Sequence, residues 1–290
     1  MSDLSRGAGH SAGRTSWTAR PERDDYASMA GFLVYYIHHL DASRPDDAKA
    51  PVLLLAGYSY GAMITTQLPP LAAMLAPFAA PLPTSHAGQI RSRAEALALQ
   101  QRDLMHSHAV RRSLRVGEGG SPRKSHDSRR SASVDDAEEK LRKGVRDFMA
   151  KTRHRRGDST GRGSGGSPRQ PPPPDVALSA VPNLVRPLPA YILISPLQGI
   201  ITHLATMSRS PGDAATETKL RQNPTLAVYG DGDVFVSAKK LRAWTARMES
   251  PEGSNFHGKE IEGAGHFWIE EGVLGHMTHL VDEFAKELVR

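Results

Sequence analysis

Val52-Leu53-Leu54-Leu55-Ala56 runs directly into Gly57-Tyr58-Ser59-Tyr60-Gly61 and then into Ala62-Met63-Ile64-Thr65-Thr66-Gln67-Leu68. The first five residues are a short apolar run bounded by a turn signal, which reads as a buried strand. The last seven can start a helix. Between them, a Gly-x-Ser-x-Gly turn must convert strand into helix within a few residues. The glycines suit a corner too sharp for side chains at those positions. Ser59 is thereby expected on a strained corner with its hydroxyl exposed. The N–H of Tyr60 opens the helix behind it, where free N–H groups and the positive end of the dipole favour a developing oxyanion. The five-residue pattern recurs by chance. The strand before it and the helix after it give it meaning here.

A serine nucleophile needs a base, and the base needs an orienting carboxylate. Thr225-Leu226-Ala227-Val228-Tyr229 reads as a second buried strand, ending in Gly230-Asp231-Gly232-Asp233-Val234-Phe235-Val236. Two carboxylates, Asp231 and Asp233, sit in that turn. Either can also simply bond turn N–H groups. No further acidic ligands follow at calcium-loop spacing, so no metal is expected. A third segment, Lys259-Glu260-Ile261-Glu262, is a short strand running into Gly263-Ala264-Gly265-His266-Phe267-Trp268. Among 13 histidines, His266 is set apart by its glycine turn after a strand and by following Asp233. His257 is placed before that strand. His276 and His279 are placed in the closing helix.

These segments resemble an α/β-hydrolase. They are similar to small serine hydrolases with a Gly-[Tyr/Phe]-Ser-[Tyr/Phe]-Gly elbow and a Gly-His-Phe ending. The resemblance covers residues 5–85 and 180–290. In that family the triad order is Ser, then Asp or Glu, then His. The family's Gly-x-x-Asp spacing selects Asp233 over Asp231. The resemblance thus implies Ser59 as nucleophile, Asp233 as orienting acid, His266 as base and the N–H of Tyr60 as one oxyanion donor, with no cofactor. The substrate would be a small acyl compound.

The resemblance also implies elements that are not found. The hydrolase sheet has eight strands, and the elbow follows the fifth. Residues 6–11, Arg6-Gly7-Ala8-Gly9-His10-Ser11, are similar to the loop after the fourth strand, and Tyr26 to Leu40 reads as the following helix, with Phe32, Leu33, Tyr36 and Leu40 on one face. The first four strands are not recognised, nor is the loop after the third that supplies a second oxyanion donor. An incomplete gene model, a short isoform and a partner chain are the three explanations. With the third strand missing, Val52–Ala56 is expected at an open sheet edge.

The chain of 290 residues is 39% hydrophobic and carries 26 glycines and 21 prolines. Its apolar content is below the roughly 45–50% of a typical globular chain, so part of it is expected not to pack. Residues 86–170 hold 20 Lys and Arg against 10 Asp and Glu. With a net charge of +6 overall, the remainder is slightly acidic. Residues 86–180 are therefore read as a basic low-complexity insert, partly helical at Ala87–Met105 and Asp135–Lys151, and mostly disordered over 110–175. It lies between 1–85, the first part of the hydrolase domain, and 181–290, the second part. Little aromatic interleaving and no nucleic-acid module argue against a nucleic-acid partner. Arg129-Arg130-Ser131-Ala132-Ser133 suits a basophilic kinase with Ser133 as acceptor. Pro171–Pro174 lacks the arginine and spacing of a full polyproline ligand.

No cysteine is present, which excludes disulfides, thiolate catalysis and cysteine-based metal centres. No apolar stretch reaches the roughly 18 residues of a spanning helix. The first residues have no apolar signal core, so a cytoplasmic setting is expected. Ala190–Ile194 reads as another buried strand. Ser237–Met248 reads as a helix with Lys239 and Lys240 outside and Leu241 and Trp244 inside. Glu270–Val289 reads as a closing helix with Leu274, Leu280, Phe284 and Leu288 inward. The expected fold is α/β, an incomplete hydrolase with about four mostly parallel strands flanked by helices. The expected activity is cleavage of an ester or similar acyl bond. The alternative is a silent fragment or pseudo-hydrolase acting through its basic insert. If 110–175 is unpacked, limited trypsin cleaves first at sites such as Arg123, Arg130 and Arg156 and leaves a resistant core; protection of all three would mean that the insert is folded.

Overall fold

The computed structural model describes residues 19–41, 44–45, 48–115, 176–197 and 214–290. The loop at 6–11, the second insert helix at 135–151, Ser133 and the proline run at 171–174 lie outside these residues. The chain divides into two compact units, residues 1–108 with 175–290, and residues 109–174. Apart from residues 109–115, everything that follows concerns the first.

Four strands form one parallel sheet in the order β1-β2-β3-β4: β1 Val52–Tyr58, β2 Leu188–Ile194, β3 Thr225–Gly230 and β4 Phe256–Ile261. The expected four-stranded α/β architecture is present. The last strand starts earlier than expected, so His257 lies within β4, with its side chain exposed. The helices are α1 Arg20–Leu40, α2 Tyr60–Gln67, α3 Leu71–Leu75, α4 His86–Arg115, α5 Ala214–Gln222, α6 Ala238–Glu249 and α7 Val273–Val289. A single 3-10 turn at Ala76–Phe78 follows α3. The insert helix expected at Ala87–Met105 is the first part of α4, which continues to Arg115. Ala94 and Ala98 of α4 are fully buried, so the body retains the first residues that the sequence assigned to the insert.

Side chains alternate across a strand, and the sheet uses both faces. Tyr191, Leu193, Ala227 and Tyr229 point into one core with Ala30 and Val34 of α1, Met63 of α2 and Trp244 of α6. Ile192, Leu226, Val228 and Ile261 point into the other, closed by Val273 and Phe284 of α7. All six residues of β3 are buried, as two-sided cover requires. β1 lies at one edge of the sheet, and Leu54 on it is 41% exposed.

Two helix faces differ from the sequence expectation. The buried stripe of α1 is Ala30, Gly31, Val34 and Tyr35, while Phe32, Leu33 and Tyr36 are half-buried beside it. The small residues face inward because α1 packs closely on its neighbours, and a Cβ at Gly31 would collide with the Phe78 ring. On α7, Val273 takes the core position and Leu274 is 54% exposed. The helix starts at Val273, after Gly272 in the left-handed region, and the eleven residues from Val273 to Phe284, about three turns, put those two on one face. In α6 the expected face is observed, with Leu241 and Trp244 buried and Lys239 and Lys240 exposed. Among the described residues no helix is long and apolar enough to cross a membrane.

A buried cation ties α5 to α2. The Lys219 Nζ donates to the carbonyls of Thr65 and Thr66, each at 3.0 Å, and to that of Leu68, and lies 5.3 Å from the centre of the Tyr191 ring. These carbonyls lie in and just beyond the last turn of α2, where the Thr65 carbonyl also accepts the Leu68 N–H at 3.4 Å and a positive charge complements the helix dipole. Beside this contact Tyr26 donates to the Ala56 carbonyl at 3.1 Å. Burial pushes the Tyr191 phenol up to about 12. Burial also pushes the Lys219 ammonium down from 10.5 to about 7. In the unfolded chain the amine keeps its proton to 10.5; in the fold it gives it up near 7. Between those values folding releases a proton, so this contribution to stability is complete above the higher value and is lost as pH falls toward the lower. Unfolding in urea at pH 7.5 and 9.5 is expected to show wild-type stability climbing relative to Lys219→Met, by at most about 1.4 kcal/mol per pH unit. The three carbonyl acceptors favour the ammonium and hold the climb below that ceiling. Parallel pH profiles for the two proteins would remove this role for Lys219.

Candidate active site

The β1 ladder extends to the serine itself. The Ser59 N–H donates to the Ile194 carbonyl of β2 at 2.8 Å, and the Ser59 carbonyl accepts from the Met63 N–H at 3.1 Å in the first turn of α2. Strand becomes helix across one residue, and that residue adopts φ 53° and ψ −115°. An L-residue held there stores roughly 1–3 kcal/mol of strain. The reversal brings the two glycines against each other, and a Cβ on Gly57 would collide with the Gly61 carbonyl. A Cβ on Gly61 would meet nothing within 4 Å. Only the first glycine of the pair is required by this close approach, where the sequence suggested both.

The other two residues come from the ends of β3 and β4. The loops after these strands touch because Gly230 has no side chain, and a Cβ there would collide with the Ala264 carbonyl. The Gly232 N–H donates to the Ala264 carbonyl at 3.0 Å. Asp231 accepts the Gly263 N–H at 2.8 Å, which makes it a tie between the two loops. Asp233 has the other role. Its Oδ2 lies 2.7 Å from His266 Nδ1, while its Oδ1 accepts the N–H groups of Phe235 and Val236 at 2.8 and 3.1 Å. The His266 Nε2 lies 2.7 Å from Ser59 Oγ. The structure therefore brings Ser59, Asp233 and His266 together, with the Tyr60 N–H at the N-terminus of α2 beside them. His257, His276 and His279 are all exposed.

The electrostatics follow from burial. The side chains of His266 and Asp233 are 3% and 1% exposed. A carboxylate only accepts hydrogen bonds, so His266 Nδ1 carries the proton in the neutral ring and Nε2 is free to accept from Ser59. In chemical terms the serine can pass its proton to Nε2, and the charge that forms on the imidazole is held against Asp233. Among the described residues no group of three or more His, Asp or Glu side chains is placed to hold a metal ion.

Three residues with no role in the sequence reading hold the main chain of His266. Its carbonyl accepts the Tyr58 hydroxyl at 2.9 Å and the Ser195 hydroxyl at 3.5 Å, and Trp268 Nε1 donates to Ser195 Oγ at 3.1 Å. Burial, and then the charge of Asp233, raise the pKa of the Tyr58 phenol, which keeps its proton available for that bond. Ser195 and Trp268 adopt φ of 46° and 58°, so backbone strain recurs around the site. Each lies at or beyond the C-terminal end of a strand, and that position was the available signal. A cavity of about 430 Å³ is lined by Tyr35, Val181, Leu184 and Arg186 among others, and none of its lining residues belongs to the triad.

The two aspartates are distinguishable without any assay of turnover. In the proton NMR spectrum, an Nδ1 proton held by a buried carboxylate resonates far downfield of the amides. Asp233→Asn is expected to abolish that resonance and Asp231→Asn to retain it. The opposite pattern would exchange their roles.

Comparison with known proteins finds no matching family model, no similar curated protein and no similar solved structure.

Proposed function

We propose that this chain is a serine hydrolase that cleaves an ester or similar acyl bond, built on part of the α/β-hydrolase plan. The observation that carries the reading is the unbroken chain from Ser59 Oγ through His266 to Asp233, with both links at 2.7 Å. The strained serine, the helix N-terminus behind it and the parallel strand order support the same reading. Ser59 Oγ would form a bond to the acyl carbon as the carbonyl electrons move onto oxygen, while Nε2 takes the hydroxyl proton. The Tyr60 N–H is the donor offered to that oxygen. Collapse of the tetrahedral species returns the carbonyl and expels the alcohol, which leaves with the proton held on His266. Water then repeats the sequence on the acyl-serine, and Ser59 recovers its proton. No residue in this scheme requires a cofactor.

A fluorophosphonate probe is expected to label wild type at Ser59 and to leave Ser59→Ala unlabelled. The alanine variant should fold normally, since the hydroxyl packs against little. Asp233→Asn should lower turnover of a p-nitrophenyl ester by about 10⁴-fold, as loss of the orienting acid does in other triads. An unlabelled wild-type chain, or equal turnover by wild type and Ser59→Ala, would overturn the proposal and leave a silent fold as the reading.

A further inference from the structure

Two of the four large apolar side chains exposed by the loops after β3 and β4, Phe235 and Phe267, pack on the ring of His266. The Phe235 ring meets the His266 ring edge-on at 4.6 Å between centres, Phe267 meets it at 5.3 Å, and Tyr58 lies at 5.6 Å. Phe235 and Phe267 also touch each other, at 6.0 Å. These three rings surround the base, yet they are 48%, 61% and 43% exposed for Phe235, Phe267 and Tyr58. Val234 and Ile269 flank them at 78% and 82% exposed. Scattered exposed apolar residues are ordinary, but a contiguous aromatic group against a catalytic imidazole has a direction. The same two loops carry charges of one sign. Asp231, Glu262, Glu270 and Glu271 lie in them, Glu270 folds its carboxylate over Gly265, and the first basic residue after β3 is Lys239, in α6.

Resting on the hydrolase reading above, we propose that this surface binds the hydrocarbon acyl chain of an uncharged ester. The chain would leave the Ser59-bound carbonyl and run over Phe235 and Phe267 toward Val234 and Ile269. Aromatic faces offer area at little cost in conformational entropy, and each methylene removed from water adds affinity. Among the described residues these side chains stand open to solvent, so selectivity should rise with chain length instead of peaking at one. The acidic side chains oppose a substrate whose acyl part ends in a carboxylate.

The test uses the full chain and p-nitrophenyl acetate, butyrate, octanoate and hemisuccinate, each below its solubility limit. The value of kcat/KM is expected to rise at least tenfold from acetate to octanoate, with the hemisuccinate below the butyrate. Phe267→Ser and Val234→Ser should each lower the octanoate-to-acetate ratio at least threefold. The exposed Leu82→Ser, remote in sequence from both loops, should leave that ratio unchanged. Fluorophosphonate labelling of Ser59 in every variant verifies that the triad is intact. Labelled protein with a flat chain-length response, or with a ratio unmoved by both variants, would overturn the acyl surface and leave the hydrolase reading standing. A flat response together with dimers that Phe267→Ser dissociates would assign the patch to a second copy of the chain, which also overturns it. An unlabelled wild type would remove the hydrolase reading itself.

Discussion

The contact on which the rest depends is the one between Gly57 and Gly61, where a strand and the helix that follows it touch across a single serine. Backbone reaches backbone there because Gly57 lacks a Cβ. That approach drives Ser59 to φ 53° and projects its hydroxyl off the end of the sheet. The strain is countered on both sides. β2 holds the Ser59 N–H through Ile194, and Lys219 gathers the carbonyls at the far end of α2. A helix anchored at its C-terminal end keeps its N-terminal N–H groups aimed at one place. The position of Ser59 is therefore set by a neighbouring strand and a buried amine as much as by the turn that carries it.

A second close approach, at Gly230, does the same for Asp233 and His266. The loops after β3 and β4 are bound by main-chain contacts and by Asp231 before any catalytic group is considered. Asp233 and His266 then meet as a consequence of the scaffold. Parallel order contributes as well, because it places the C-terminal ends of the strands on one rim. Tyr58, Ser195 and Trp268 add a layer that fixes the carbonyl of His266 while Asp233 fixes its ring.

The first three strands were legible because each contains a short apolar run, and a fully buried parallel strand such as Thr225–Gly230 has no polar face to obscure it, whereas β4 is mostly polar and only its end, before the Gly263-Ala264-Gly265 turn, was recognised. Ser59, Asp233 and His266 were legible because their turns carry local glycine patterns. Asp231 and Asp233 separated only through a family spacing, since both can bond turn N–H groups. Lys219 was not legible. A lysine in Thr218-Lys219-Leu220 reads as a solvated helix residue, and its burial depends on carbonyls more than a hundred and fifty positions away. The face of α1 was misread for a related reason. Helical spacing favours the large side chains Phe32, Leu33 and Tyr36, whereas tight packing against the Phe78 ring selects Gly31. On α7, Val273 is about three turns before Phe284 and shares its face, which leaves Leu274, one residue further round, turned outward.

β1 and β2 are neighbours in the sheet, yet they belong to distant parts of the chain, since Tyr58 pairs with Ile194. Bringing two such segments together has an entropy cost that grows only with the logarithm of the stretch between them. Each doubling of that stretch adds about 0.6 kcal/mol. Once β1 and β2 have found each other, the length of what connects them is nearly invisible to the stability of the pair. The crossover from the elbow to β2 can therefore gain sequence beyond the buried residues of α2, α3 and α4 at little cost to the pair, and Ser59, Asp233 and His266, which lie outside that stretch or at its first residue, need not register the change.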